Sequence, residues 1–466
     1  MQQAKPLDIQ RFIDENKFSA FQWIVFLISF FVILIDGFDT AAIGYIAPSL
    51  IKEWGITKPD LAPVLSAALA GLAVGAVLIG PIADRLGRKY LLCAMVFLFG
   101  LASLVSASSS SLSELVMWRF VTGLGLGAAM PLAVTLANEF APTRRRGVLT
   151  SAMFTGFPLG AAWGGFLSAW MIPQWGWRSV LELGGILPMC LAVIMLFLLP
   201  ESVRHMVTRG AAPERIRAVL LKISSSLGEA TQFVLGEKVR AVSDNDHGKR
   251  GVALVLSRSY LVGSAMLWLT YGMGIVIFYA LINWMPILLK DAGLDPKTSL
   301  LVTSLFPLGG VGAIAFGFLM DRFNANRVIM LGYLATAVFV YMIGQAAGNI
   351  GWLVATVFLG GAIMNTTQTS MPALAANFYP TAGRATGVAW MMAIGRIGAV
   401  AAPFLVAELQ RRQFSFDQIF AVLAIPGVIA AMALFIKNAS HPEESREENE
   451  ATAEHNVPVA VQASKS

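Results

Sequence analysis

Long apolar runs separated by short polar turns dominate the chain. A helix needs about 20 apolar residues to cross a hydrocarbon core. By that measure twelve spans fall near 22–47, 61–81, 90–108, 113–137, 148–170, 179–199, 259–284, 299–320, 327–345, 351–376, 385–407 and 416–436. Backbone amides in lipid have no water to bond, so each span must satisfy its own groups as a helix. The pattern predicts an all-α integral membrane protein of twelve transmembrane helices. The remaining segments are polar: residues 1–21, the stretch 200–258 and everything from 437. Within 200–258, "PERIRAVLLKI" and "FVLGEKVRAV" read as short amphipathic surface helices. The tail 437–466 has the composition of disordered chain.

The apolar pattern also repeats. "GPIADRLGRK" at 80–89 returns as "GFLMDRFNANR" at 317–327, with Gly80/Gly317, Asp84/Asp321 and Arg85/Arg322 each offset by 237. "PTRRRG" at 142–147 returns as "PTAGRA" at 380–385, with Pro142/Pro380, Thr143/Thr381 and Arg146/Arg384 offset by 238. Two motifs in the same order at nearly the same offset indicate two pseudo-symmetric six-helix halves, 22–199 and 259–436, joined by the linker 200–258. Parallel halves of this kind place a substrate site at their interface near the bilayer midplane.

Composition narrows the classes. Of 466 residues 56% are hydrophobic and 13% charged, about half the charge of an ordinary soluble domain. Cys93 and Cys190 lie far apart in apolar runs, and the four histidines lie in polar segments. Neither a disulfide framework nor a metal site is expected, and no nucleophile or cofactor motif suggests an enzyme. The first span is too long for a signal-peptide core and lacks a cleavage pattern, so it is expected to stay. If the N-terminus is cytoplasmic, 25 of the 34 Lys and Arg fall on the inner side, 7 on the outer side, and Arg119 and Arg396 lie within spans. That bias places both termini and the linker in the cytoplasm. The net charge of +6 then needs no nucleic-acid partner.

Candidate chemistry lies where charge enters the spans. Asp36 and Asp39 in "LIDGFDTAAIGYIAP" share a helix face, although an ionised carboxylate at mid-membrane costs roughly 2.5–3.5 kcal/mol. Arg119 keeps its proton at any accessible pH and needs an anion: an aspartate, a substrate carboxylate, or each in turn. Arg396, halfway along the eleventh span, has no acid within two turns of its own helix. It is either a carboxylate fork for a ligand or half of a structural cross-helix pair. The Asp/Arg/Gly turns with Gly80, Asp84, Arg85, Gly87, Arg88, Asp321 and Arg322 end spans two and eight. They are either a latch on the cytoplasmic side or topology anchors. The rows Gly123/Gly127 and Gly156/Gly160/Gly164 read as close helix packing.

"GPIADRLGRK" resembles the loop signature of the major facilitator superfamily, and "RFVTGLGLGAAMP" (119–131) is similar to its fourth-helix motif. "LIDGFDTAAIGYIAP", "LPESVR" and "NFYPTAGRATGVAWMMAIGRIGA" together resemble its aromatic acid:H+ symporter branch, the 4-hydroxybenzoate and benzoate permeases, over residues 7 to 436. The resemblance implies a cytoplasmic gate that includes Glu139, Arg146 and Arg384, although a solvated helix end explains Glu139 and Arg146 nearly as well. It assigns Asp36 and Asp39 to proton coupling or substrate transport. It implies a benzoate-type substrate carried with protons across a bacterial inner membrane; no cofactor is expected, and the chain is expected to act as a monomer. Phe154, Tyr271, Asn365, Gln368 and Trp390 are ring-binding candidates, and Tyr271, Asn365 and Gln368 suit a ring hydroxyl. Efflux of aromatic acids, or a non-transporting sensor of them, stand as alternatives.

Overall fold

The structure is a computed structural model and describes residues 7–225, 232–234, 251–312, 324–346, 348–380 and 383–440. A short strand β1 (Leu7–Asp8) and helix α1 (Ile9–Glu15) precede the long helix α2 (Ala20–Trp54). Then follow α3 (Ala62–Leu86), α4 (Arg88–Ala107), α5 (Leu112–Glu139), α6 (Arg146–Phe154), α7 (Gly156–Trp175) and α8 (Arg178–Leu198). The linker contributes α9 (Val203–Thr208), α10 (Pro213–Leu220), a strand β2 (Phe233–Val234) and α11 (Val252–Val255). Beyond it lie α12 (Leu261–Asp291), α13 (Pro296–Leu308), α14 (Ala325–Gln345), α15 (Ile350–Phe378), α16 (Arg384–Arg411) and α17 (Phe416–Ser440).

Among the described residues ten helical stretches are long and apolar enough to cross a membrane. The other two expected spans have separate explanations. The fifth is broken at Thr155 into α6, of nine residues, and α7, which is 20 residues long but diluted by Gly, Trp, Pro and Gln. Pro158 supplies no N–H for the Phe154 carbonyl and its ring crowds that oxygen, so the helix restarts. The eighth begins as α13 and leaves the described residues after 312.

Packing divides the chain into two units. The first comprises 1–42, 67–164 and 171–246. Its core joins Ile9, Phe12 and Ile13 of α1 to apolar residues of α2, α4 and α5 and to Val203, Met206, Ile216 and Leu220 of the linker helices. The N-terminal segment is therefore docked by burial. Its backbone adds to this: β1 pairs in parallel with β2, Leu7 against Phe233 and Asp8 against Val234. The sequence pattern gave "FVLGEKVRAV" as a helix. Its first two residues instead form a strand, because β-prone Phe233 and Val234 meet the part-buried backbone edge of Leu7–Asp8; the rest of that segment lies outside the described residues. α2 crosses α7 so closely that a Cβ on Gly37 would overlap the Phe157 carbonyl and one on Gly160 the Leu34 carbonyl. The same contact occurs between Gly123 and Gly127 of α5 and the α3 backbone at Ala68 and Leu72, as the four-residue glycine spacing predicts.

The second unit comprises 43–66, 165–170 and 247 onward. At 35 residues, α2 is about 50 Å long and its far end belongs here. Ser66 donates to the Val400 carbonyl at 2.9 Å, and Lys58 pairs with Asp291 at 2.6 Å. Buried Tyr45 lies beside Gly165 and Ser304.

Candidate functional site: two intramembrane arginines

In the first unit, α2 carries Asp36 and Asp39 one turn apart, 1% and 0% exposed, and α5 carries Arg119, also 0% exposed. Arg119 Nη1 donates to Asp39 Oδ1 at 3.1 Å and Nη2 to Oδ2 at 2.8 Å; Nη2 also donates to the Asp39 carbonyl at 3.1 Å. Ser103 of α4 donates to Asp39 Oδ1 at 2.8 Å. A guanidinium fork meeting a carboxylate through two bonds is the strongest geometry such a pair adopts. With both side chains shielded from solvent the attraction is weakly screened, which offsets the cost of desolvating two charges. Arg119 Nε has no partner among the described residues. Asp36 accepts from Thr40 Oγ1 at 3.2 Å on its own helix. Of the partners the sequence allowed, this structure puts Arg119 on an aspartate, and on Asp39.

In the second unit, Arg396 of α16 is half-buried. Adjacent Gly395 lies under the Tyr271 ring so tightly that a Cβ would overlap it. Gln368 of α15 ties this region together: it accepts from the Tyr333 hydroxyl at 2.7 Å and donates to the Tyr271 carbonyl at 3.3 Å. Asn365, one turn away, spends both amide hydrogens on the carbonyls of Gly361 (2.7 Å) and Phe306 (3.2 Å), stapling α15 to α13. Trp390, 38% exposed, stacks on Trp268 with centroids 5.9 Å apart. Phe154 is half-buried at the end of α6. Thus Arg396, Tyr271 and Gln368 come together, Asn365 acts as a helix staple, and Phe154 belongs to the other unit. Tyr333 was not foreseen; a tyrosine inside an apolar span carries no sequence signal of its partner.

The loop residues form a separate network in the first unit. Gly87, at φ 92°, caps α4, a conformation that favours glycine. The Glu201 carboxylate accepts from the N–H groups of Arg88 (2.9 Å) and Lys89 (3.2 Å), an anion at a helix start. The Arg88 side chain pairs with Glu139. Arg146 instead donates to Gln10 and to the Ala141 carbonyl, so these two flanking charges serve different partners. Arg85 is exposed, and its carbonyl accepts from Arg209 at 3.3 Å. Arg384 is exposed and donates to the Tyr379 carbonyl at 3.4 Å. Gly80 and Asp84 fall in the last turns of α3, but their surroundings lie outside the described residues, as do Asp321 and Arg322. Glu201 was missed because its contacts to the start of α4 are more than 110 positions away.

The family model for the Major Facilitator Superfamily matches residues 29–316 and 298–464. The chain belongs to the Major Facilitator Superfamily. It is 46% identical over 440 residues to the 4-hydroxybenzoate transporter PcaK of Pseudomonas aeruginosa, covering 94% of this chain and 97% of that one. It is 41% identical to a gallate transporter of Pseudomonas putida, covering 92% and 94%. In fold it matches the partially occluded, inward-open xylose transporter XylE from E. coli at a TM-score of 0.69, with 19% identity and coverage of 90% and 98%. The superfamily fold with its apolar helices makes this a multi-pass inner-membrane transporter, not an enzyme.

Proposed function

We propose that the protein imports benzoate-type aromatic carboxylates together with protons, with 4-hydroxybenzoate as the leading substrate and both termini in the cytoplasm. The buried Arg119–Asp39 pair is the observation that carries this reading. Protonating Asp39 removes its charge and releases the Arg119 fork, so one proton changes the helix contacts of α2, α4 and α5 together. Arg396, half-buried and without a carboxylate partner among the described residues, supplies the cation for the substrate's carboxylate. The Tyr271 ring beside it, with the Trp268–Trp390 stack, offers aromatic surface, and Gln368 offers an amide for a ring hydroxyl. The relatives' printed substrates, 4-hydroxybenzoate and gallate, are both hydroxylated aromatic acids and support the substrate class. Carrying an anion into an inside-negative compartment costs roughly 2.3 kcal/mol per charge per 100 mV. One accompanying proton cancels that cost. The cytoplasmic orientation rests on the distribution of Lys and Arg.

The test is uptake of labelled 4-hydroxybenzoate into proteoliposomes under an imposed inward proton gradient. Accumulation that collapses with a protonophore, and is absent in Asp39→Asn, supports symport through this pair. Accumulation driven only by an outward-directed gradient would replace import with efflux. Binding without any accumulation would replace transport of this substrate with sensing.

A further inference from the structure

Where the N-terminal segment meets the loop after α5, the first unit forms a half-open cavity of about 450 Å³, lined by Asp14, Glu15, Lys17, Phe18, Arg144 and Arg145 among others. Its charges are unequal in availability. Asp14 accepts from the Thr143 backbone N–H (2.7 Å), the Thr143 hydroxyl (2.8 Å) and Gln10 (3.0 Å). Glu15 is paired with Arg11 at 2.6 Å. Lys17, Arg144 and Arg145 are exposed, and among the described residues their side chains have no hydrogen bond or ion pair. Asp14 is held by three hydrogen bonds and exposed Glu15 shares its charge with Arg11, whereas three lining cations have no partner among the described residues.

Its depth is set by the chain. Lys17 and Phe18 immediately precede α2, and Arg144 and Arg145 follow the end of α5 by a few residues. Trp23, in the first turn of α2, is 47% exposed and meets the Phe18 ring edge-on at 5.1 Å. Exposed tryptophan at a span's end marks the headgroup layer. Three free cations at that depth, beside apolar Phe18, match a phosphodiester with its acyl chains running alongside the helices.

We propose that this cavity is a binding site for the headgroup of an anionic phospholipid. The phosphate is the recognised group, and the bilayer is its source. Each basic residue near an anionic surface contributes about 1 kcal/mol, a factor of about five. The site lies outside the transport residues and stands independently of the substrate.

The full-length protein is purified and its retained lipid read by native mass spectrometry while short-chain phosphatidylglycerol or phosphatidylcholine is titrated. Wild type should prefer phosphatidylglycerol. Arg144→Gln should lower that preference about fivefold, and Lys17→Gln/Arg144→Gln/Arg145→Gln should abolish it. A control triple at exposed Lys52, Arg411 and Arg412 should retain it, and all forms should share one melting temperature. Equal retention of the two lipids by wild type, or undiminished preference in the cavity triple, would overturn the proposal. Loss of preference in the control triple would do so as well, reducing the effect to net charge. Inorganic phosphate displacing the lipid at low millimolar concentration would reassign the site to free phosphate.

Discussion

Arg119 and Arg396 are the same residue type inside apolar helices of the two halves, yet they occur in opposite situations. Arg119 is sealed, with its fork spent on Asp39, a helix carbonyl above it and Ser103 completing the carboxylate. Arg396 is half-buried, next to Gly395 on which the Tyr271 ring packs. A fully desolvated charge requires a built-in counter-ion, whereas a partly hydrated one can wait for a ligand's. In the proposed transport cycle, the contrast separates an internal charge pair opened by a proton from a cation kept for an incoming carboxylate.

Four changes would break or sharpen this contrast, beginning with the largest. Arg119→Leu leaves Asp39 buried without its cation and should cost about 3–5 kcal/mol. In detergent it should melt well below wild type, while Arg119→Leu/Asp39→Leu recovers most of the melting temperature and no gradient-driven uptake. If the single variant melts like wild type, the pair is not the structural lock described here. Arg396→Ala should leave the melting temperature nearly unchanged, because no carboxylate among the described residues loses its partner. It should lower affinity for 4-hydroxybenzoate by about 1.5–3 kcal/mol, or some 10- to 150-fold, read as a raised KM or directly by calorimetry. An equally large loss of stability would place Arg396 in the same class as Arg119.

Gln368→Leu tests the second region more gently. It orphans the buried Tyr333 hydroxyl, and about 1–3 kcal/mol of stability should go with it; Tyr333→Phe alone should cost less. A double variant close to Gln368→Leu alone would confirm their coupling. Asp14→Asn should be smallest, at about 1 kcal/mol or less for a part-exposed hydrogen-bonded carboxylate. Burial pushes the Asp14 carboxyl up, but hydrogen bonds from Thr143 and Gln10, with Arg146 nearby, hold it below its usual value. A depressed carboxyl contributes stability that is present above the unfolded value, near 3.9, and is lost as pH falls through the folded one. Protease sensitivity of the N-terminal segment should therefore rise in wild type only below about pH 4, and Asp14→Asn should be sensitive already at neutral pH.

The elements themselves were largely legible, for a local reason: twenty apolar residues in lipid have few options other than a helix. The break at Thr155 was written in Pro158, yet the span's hydropathy runs straight through it. The strand at Phe233 could not be read from its own segment, because it exists only through Leu7 and Asp8, more than 220 positions earlier. The same limit applies to the charges. Asp36, Asp39, Arg119 and Arg396 stood out singly, since an intramembrane charge is expensive wherever it points.

The sequence by itself determined that this is a membrane-spanning helical protein built on a repeat, which charges lie inside its spans, and where glycine lets helices touch. Tertiary structure alone decided the pairings. It set Asp39 rather than Asp36 against Arg119, gave Glu139 to Arg88 rather than to Arg146, and brought Glu201 to the start of α4. Hydropathy is a property of each residue and its neighbours in sequence. An ion pair depends on which helix faces arrive together, and that is fixed only when the whole bundle packs.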